Sequence, residues 1–386
     1  MTQFNTDTLA GVQQHVPGSG GRLHFFDHLR AIIILLVVVL HTSMTYMAFP
    51  ATWWYVIEPR NSLVFTILVL LLDVPNMQIL FFIAGFFAYA SLERYGTARF
   101  LRQKAVRLGL PWLVGVVFLA PLVTYLIPVT RGIARPYLEF WATDFWGPYY
   151  QQSVYWFLGI LFLLFVLLAI LHRSVPQLRG VVRQAQTPTW ALFATFWAVT
   201  TLWYFLSSMV TPADTWANAL KLFVYQPARL LLYAGYFGLG IYADRRGWFR
   251  ADGYRPKLDS WGMAAVITAT FYLGFRFSWA GGSDILPLAV QAALFNAFCL
   301  AALMASTALF QQYVNRPGRL WSSLARNAYA IYYVHPLILY PAAYVALSVE
   351  ASIFLEFAFL ATLTVLVAWG LGALVLTRWP VLRDIF

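Results

Sequence analysis

The stretch FDHLRAIIILLVVVLHTS, residues Phe26–Ser43, decides which fold this chain can adopt. Arg30 stands before an unbroken apolar run of ten residues, and His41 closes that run. At 1.5 Å per helical residue, His41 lies roughly 16 Å from Arg30 along the helix axis, about half of a ~30 Å hydrocarbon core. An ionisable ring at that depth is costly. The stretch therefore predicts a membrane helix whose histidine either serves a function or hydrogen-bonds between helices as packing.

The composition of the whole chain indicates a membrane protein. Of the 386 residues, 61% are hydrophobic and only 11% are charged, against ~25% charged in soluble proteins. No segment between the apolar runs is long enough for a separate core. We therefore expect a flexible polar tail at residues 1–22 and a single transmembrane domain at residues 23–386. Cys299 is the only cysteine, so no intramolecular disulfide can form.

Apolar runs of about 20 residues predict an all-α polytopic membrane protein with about ten transmembrane helices. The second run is too long for one straight span and contains Asp73 and Pro75, so we expect a single crossing with a polar break. The runs fall at residues 29–49, 62–92, 109–129, 152–172, 190–210, 221–242, 260–279, 285–310, 326–348 and 353–377.

The distribution of basic residues predicts that both termini are cytoplasmic. Twenty of the 26 Lys and Arg residues lie in segments that this orientation places inside, and four lie outside. The remaining two, Arg229 and Arg276, lie within predicted spans. The net charge of +11 is then explained by the orientation in the membrane and by attraction to anionic lipid. It does not indicate nucleic-acid binding.

Polar residues inside the apolar runs are the first candidates for a site. His335 is predicted at a depth similar to that of His41, so the two can share one cavity; alternatively, His335 bonds a carbonyl that Pro336 leaves free. The remaining candidates need partners or water at their depth, and a carboxylate such as Asp73 is one partner for an arginine. They are Asp73 and Gln78 in the second run and Arg229 in the sixth.

Two surface features have a structural and a functional interpretation each. Residues 93–111 form a basic amphipathic stretch with Arg102, Lys104 and Arg107, predicted to lie on the inner surface. It is either a positive-inside anchor or a cradle for a phosphorylated donor. Aromatic residues crowd the outward segments, where they belong to interfacial belts or stack on a sugar ring. Among them are Trp53, Trp54 and Trp156.

Several kinds of chemistry find no support in the sequence. No metal-ligand spacing of His and Cys, no phosphate-binding glycine loop and no nucleophile elbow occurs in the chain. The sequence therefore points to an imidazole at a defined depth, near a basic inner vestibule and below an aromatic outer face.

Four motifs in one order along the chain resemble those of the integral-membrane acyltransferase-3 family. Asp27–Arg30 followed by His41 is similar to the family's first-helix signature, an Arg or Lys, ten residues and a His. Phe81–Gly85 looks like the Phe-Phe-x-x-Ser-Gly element, although alanine replaces its serine. Lys104–Pro111 looks like the basic pattern that ends in Arg-Leu-x-x-Pro, and Ile331–Pro336 looks like the Tyr-Leu-x-His-Pro segment.

The resemblance implies an enzyme of a bacterial inner membrane that moves an acyl group from cytosolic acyl-CoA to a hydroxyl of an extracytoplasmic glycan. Within the family, the chain looks most like proteins that modify periplasmic glucans with succinyl groups; succinyl and acetyl are both expected acyl groups. Acyl-CoA is then a donor substrate, with no permanently bound cofactor, and membrane lipids and the glycan are partners. The oligomeric state stays open.

The same resemblance assigns roles to residues. His41 would be the general base on the sugar hydroxyl or a transient acyl carrier. Arg30 would hold donor phosphate or position Asp27 and the helix start, and the basic stretch would bind the donor. A transporter of an anionic metabolite or lipid-linked sugar is the alternative, because interrupted helices often mark transport sites. A scaffold for a glycan synthase is a third hypothesis.

Overall fold

The computed structural model describes residues 23–175, 185–250, 252–279, 281–379, 382 and 385. The predicted tail at residues 1–22, together with Arg179, Arg183 and Arg383, lies outside this part of the chain. Within the described residues, the protein is mostly helical and contains ten long helices. These are α1 (His24–Tyr46), α2 (Leu63–Tyr95), α3 (Thr97–Thr130), α4 (Ser153–Ser174), α5 (Trp190–Val210), α6 (Pro227–Arg245), α7 (Leu258–Ser278), α8 (Ile285–Tyr313), α9 (Arg319–Ala346) and α10 (Ile353–Leu376).

Seven helices of the described chain are long and apolar enough to cross a membrane, namely α1 to α5, α8 and α10. α6, α7 and α9 have 19, 21 and 28 residues but carry more polar side chains. Such helices suit the interior of a bundle, where neighbouring helices satisfy polar groups. The multi-pass membrane class is therefore supported, while the count of ten spans and the cytoplasmic termini stay predictions.

The connections between helices collect alternately at two ends of the bundle. Residues 47–62, 131–152, 211–226, 279, 281–284 and 347–352 form one end, here called the aromatic end. There Nη1 of Arg60 donates to the Ala351 carbonyl at 2.8 Å, and Nζ of Lys221 donates to the Trp146 carbonyl at 2.7 Å. The opposite end, here called the basic end, joins residues 23–28, 246–250, 252–257 and 314–319. There the backbone N–H of Phe25 donates to the Asn315 side chain at 3.2 Å.

The polar break in α2 is a kink that keeps helical backbone angles. The helix pauses between Asp73 and Asn76, but Val74 and Pro75 both retain right-handed helical φ and ψ. The Val74 carbonyl accepts from Sγ of Cys299 on α8 at 3.2 Å. The predicted break thus lies within one apolar helix of spanning length, and the neighbouring helix bonds a carbonyl at the break.

Two predicted segment boundaries are wrong. The sixth run was predicted to be helical from residue 221, but Ala217–Ala219 (β1) and Phe223–Tyr225 (β2) form an antiparallel hairpin, and α6 begins at Pro227. Proline fits the first helical turn because its missing N–H has no partner there. The third run was predicted to begin at residue 109. The basic stretch is instead continuous with it through a π turn at Ala105–Gly109.

Glycines permit the closest crossing of two helices, α2 on α6. A Cβ at Gly85 would overlap the Phe237 carbonyl oxygen, and a Cβ at Gly240 would overlap the Phe82 carbonyl oxygen. Only hydrogen at these positions allows the backbones to approach so closely. The crossing brings the stretch of α2 that follows Asp73 against the helix that carries Arg229.

Candidate active site

His41 and His335 form a hydrogen-bonded pair inside the bundle. Nδ1 of His41 lies 2.9 Å from Nε2 of His335, and the two rings stack with their centroids 5.2 Å apart. His335 is completely buried, whereas His41 is partly exposed. The structure thus brings together, from α1 and α9, the two histidines that the sequence places at similar depths.

The proline after His335 explains how the pair is oriented. Pro336 has no N–H, so the carbonyl one turn earlier, that of Tyr332, has no helical partner. Nδ1 of His335 lies 2.7 Å from this oxygen, which only accepts, so Nδ1 carries the proton. In neutral His335, Nε2 is then an acceptor, and Nδ1 of His41 donates to it. Nε2 of His41 is left with a lone pair.

A cavity of about 1250 Å³ includes His41 in its wall and extends to the aromatic end. Its lining on α1 begins at Val37, and His335 lies behind His41 without lining it. Side chains and loops of the aromatic end form the rest of the wall. The site is thus a large pocket with an imidazole partly exposed in its wall, a usual arrangement for a buried catalytic group.

Charged residues form a second cluster in the same cavity. Nη2 of Arg229 lies 2.6 Å from Oδ2 of Asp73 and 3.2 Å from Oδ1 of Asp214, and Nη2 of Arg276 lies 3.7 Å from Oδ2 of Asp214. Arg229 is buried, while the side chain of Asp214 is 62% exposed. The guanidinium of Arg229 also lies over the Phe295 ring at 5.1 Å. Asp73 and Arg229 are therefore partners, as the sequence allowed.

The three tryptophans proposed for the acceptor side all line the cavity. Trp54 is buried with its ring centroid 5.7 Å from that of His41. Trp53 is 40% exposed, and Trp156 stands next to Tyr233 at 5.4 Å. These rings are therefore part of the pocket wall. Residues of an interfacial belt would not need to line a cavity.

The predicted donor-side residues lie away from this cavity. Arg30 is 44% exposed, 3.6 Å from Oδ1 of Asp27, and its Nη2 donates to the Ala325 carbonyl at 3.4 Å. The basic stretch does not line the cavity either. Arg102 is exposed, Nζ of Lys104 lies 4.2 Å from the Phe165 ring centroid, and Nε of Arg107 donates to the Ile385 carbonyl at 3.4 Å.

Gln78 also stands outside the cavity. It is completely buried in α2, and among the described residues neither of its amide atoms has a hydrogen-bond partner. A buried amide without a partner is unusual and indicates a water or a mobile neighbour.

Several cavity residues escaped the sequence analysis. Asp214 and Trp216 stand in a loop that the predicted spans leave unassigned, and Tyr233 carries no motif. Gln152, 1% exposed, also lines the wall. Nothing local distinguishes them, because they acquire their neighbours only when distant helices pack. Arg276, an arginine within a predicted span, hints together with Arg229 at an acidic acyl chain if both face the cavity, and both line it.

Apolar helices of spanning length define a multi-pass membrane protein, and a large internal cavity in it exposes one imidazole, that of His41. The chain belongs to the acyltransferase-3 family, whose acyltransferase domain matches residues 23–373. The protein is accordingly a membrane acyltransferase.

Several curated relatives share one name. The chain is similar to glucans biosynthesis protein C of Escherichia coli (strain K12), 29% identical over 100 residues that make up 26% of this chain and 25% of the relative. The chain thus matches only a quarter of that relative's length. The protein of the same name from Salmonella agona (strain SL483) is 23% identical over 345 residues, 86% of each chain. No solved structure is significantly similar.

Proposed function

We propose that this protein transfers an acyl group from acyl-CoA to a hydroxyl of an extracytoplasmic glycan, a periplasmic glucan by similarity to its relatives' name, in a bacterial inner membrane. The observation that carries the proposal is the lone pair on Nε2 of His41, which the bond to His335 leaves unshared at the cavity. A neutral imidazole is a usual general base for such chemistry.

In the direct route, Nε2 of His41 takes the hydroxyl proton while the sugar oxygen attacks the thioester carbonyl carbon. The carbon–sulfur bond breaks, and the leaving thiolate of coenzyme A takes the proton from His41. In the covalent route, Nε2 attacks the carbonyl itself and the thiolate of coenzyme A leaves. The sugar oxygen then displaces the imidazole, and the hydroxyl proton passes through Nε2 to the thiolate. Both routes use the same atom. His335 stabilises the positive charge on His41 by accepting a hydrogen bond from its Nδ1–H, as a hydrogen-bonded partner does in other imidazole sites.

The charges of the cavity favour an anionic acyl group. Its wall carries three arginines, Arg131, Arg229 and Arg276, against two aspartates. Nε of Arg229 and Nε of Arg276 are buried and have no hydrogen-bond partner among the described residues. A succinyl carboxylate can use these donors, because guanidinium groups bind carboxylates in pairs of hydrogen bonds. An acetyl group would leave them unused.

We place the donor's phosphates at the basic end, with Arg30 and the basic stretch as ligands. The pantetheine arm would then pass along α1, a rise of roughly 16 Å from Arg30 to His41. A glycan would approach through the aromatic end. The transporter alternative relied on the interrupted second helix, and the helical backbone of Val74 and Pro75 offers no unwound carbonyls for a substrate.

The test is acyl transfer by the purified protein in lipid nanodiscs. With labelled succinyl-CoA and a glucan acceptor, His41→Ala should lower turnover by at least ~100-fold, the usual contribution of a general base. His172→Ala is the matched control, because His172 lies at the basic end, 2.6 Å from Glu93 and outside the cavity. It should keep wild-type turnover. An active, correctly inserted His41→Ala protein would refute the proposal.

A donor-only incubation separates the two routes. Covalent transfer predicts a succinyl mass on the wild-type protein after exposure to succinyl-CoA without glucan, and its loss in His41→Ala. Direct transfer predicts no such adduct.

A further inference from the structure

Five aromatic rings form a continuous arc around the cavity, starting beside His41. All five line its wall. Successive centroids lie 5.7, 6.3, 5.2 and 5.4 Å apart, close enough for ring contacts along the whole arc. The aromatic arc consists, in this order, of Trp54, Trp53, Trp216, Trp156 and Tyr233. It connects the imidazole at one end with the helix turn that holds Arg229 at the other.

Trp216 is the middle of this arc and comes from the loop between α5 and β1. It lies between Trp53 at 6.3 Å and Trp156 at 5.2 Å, although 60 or more residues separate it from either along the chain. Asp214, two residues earlier, presents a largely exposed carboxylate to the same cavity. An apolar ring face and a hydrogen-bonding carboxylate therefore stand side by side.

The hairpin that follows Trp216 is held in a strained conformation. Leu220 and Lys221 at its turn have φ of 56° and 55°, which costs free energy in residues other than glycine. Three bonds from the 146–152 loop region compensate. Nζ of Lys221 donates to the Trp146 carbonyl at 2.7 Å, the Tyr150 hydroxyl donates to the Lys221 carbonyl at 2.6 Å, and Nε2 of Gln152 donates to the Leu222 carbonyl at 2.7 Å.

These bonds give the segment a fixed position at the mouth of the cavity. Burial raises the pKa of the Tyr150 phenol, so its hydroxyl stays protonated as the donor. Such strain persists where the surroundings over-determine a conformation, as they do at ligand clamps.

We propose that residues Pro212–Gln226 form an acceptor clamp, in which Trp216 stacks on a pyranose ring and Asp214 accepts hydrogen bonds from its hydroxyls. A pyranose has an apolar C–H face and a polar rim, the two surfaces that this pair complements. Asp214 is paired with Arg229 and Arg276, so the clamp offers hydrogen-bond acceptors with little net charge, which suits an uncharged sugar. The arc then continues through Trp53 and Trp54 to His41, so a chain of sugars lying along it brings a hydroxyl to the imidazole. The inference rests on the proposed function only for acyl transfer at His41. Sugar binding by the clamp does not depend on it.

The experiment measures binding of gluco-oligosaccharides of six units to the protein in nanodiscs, without donor, by titration calorimetry. Trp216→Ala should weaken binding about tenfold, as expected for truncation of a central aromatic contact. Trp216→Phe should retain most of the affinity, and Asp214→Asn should weaken it about fivefold. Trp379→Ala is the control, because Trp379 is 59% exposed outside the cavity and should bind like the wild type.

A kinetic split complements the binding measurement. In transfer assays, Trp216→Ala should raise the KM for glucan at least fivefold and leave the KM for acyl-CoA unchanged. Equal affinity of wild type and Trp216→Ala, or no oligosaccharide binding by the wild type, would overturn the clamp. Acyl transfer without oligosaccharide binding would leave the proposed function standing. Binding that depends on Trp216, without any acyl transfer, would leave only the clamp.

Discussion

The carbonyl that Pro336 leaves unpaired is the residue-scale detail on which the histidine pair depends. Two other prolines leave a carbonyl that a side chain bonds in the same way. The Arg107 carbonyl, one turn before Pro111, accepts from the Tyr329 hydroxyl at 2.7 Å, and the Val117 carbonyl, one turn before Pro121, accepts from Nε1 of Trp141 at 2.9 Å. In each case a proline removes one helical bond and a side chain supplies another. At His335 this exchange also selects a tautomer.

At this scale we predict that His335 acts through His41. His335→Ala removes the acceptor for Nδ1 of His41 but leaves the base itself, so we expect ~10- to 100-fold lower kcat with an unchanged KM for acyl-CoA, a smaller loss than removal of a general base typically causes. His335→Gln retains an acceptor oxygen and should recover part of the activity.

Pro336→Ala provides an independent comparison for the same prediction. It restores an N–H that competes for the Tyr332 carbonyl, and it should shift the pH profile of kcat while the protein remains folded. Identical pH profiles of the wild type and Pro336→Ala, together with full kcat in His335→Ala, would show that His335 only fills space.

At the scale of elements, the α2–α6 crossing positions both charged partners of the cavity. Asp73 belongs to α2 and Arg229 to α6, and their 2.6 Å contact depends on how the two helices pack. Gly85 and Gly240 set that packing, which gives a physical reason for glycine at the end of the Phe81–Gly85 motif. Ala84, in the position of the family's serine, provides no hydroxyl there.

We predict that Gly240→Ala forces the two helices apart, because its methyl group would meet the backbone of Phe82 and not a movable side chain. Overpacking of this kind typically costs ~1–3 kcal/mol, and the thermal midpoint in detergent should fall accordingly. Gly238→Ala on the same helix has nothing within 4 Å of its added carbon and should match the wild type. Equal melting of both variants would show that the crossing tolerates a wider separation.

At the scale of the whole molecule, the cavity and the basic residues occupy different ends. The cavity reaches the aromatic end, whereas Arg30 and residues 93–104 stand at the other, which suits a donor and an acceptor that arrive from opposite sides of a membrane. The basic excess predicts which side is cytoplasmic.

Cysteine labelling in spheroplasts tests this orientation. The native protein is its own blank, since its only cysteine, Cys299, is buried. Leu220→Cys, at a position 96% exposed on the hairpin turn, should react with a membrane-impermeant maleimide from outside. Arg99→Cys, at an exposed position near the basic end, should react only after lysis. The opposite pattern would reverse the topology and with it the direction of acyl transfer.

The sequence by itself determined the membrane class, the approximate positions of most helices and the break in the second helix, and it predicts the depth of His41. These follow from local properties, because hydrophobic length and the spacing of charges act within one segment. The helix start at Pro227 was missed, since apolar composition alone does not distinguish a short hairpin from the end of a span.

Only the tertiary structure decided which polar residues meet. His41 and His335 are 294 positions apart, Asp73 and Arg229 are 156 apart, and Trp216 reaches the arc from a loop. Hydrogen bonds and ion pairs act over a few ångströms, so they exist only after helices distant in sequence have packed. The sequence therefore specified a costly imidazole inside a membrane, and the packing of α1 against α9 supplied the partner that directs its free nitrogen to the cavity.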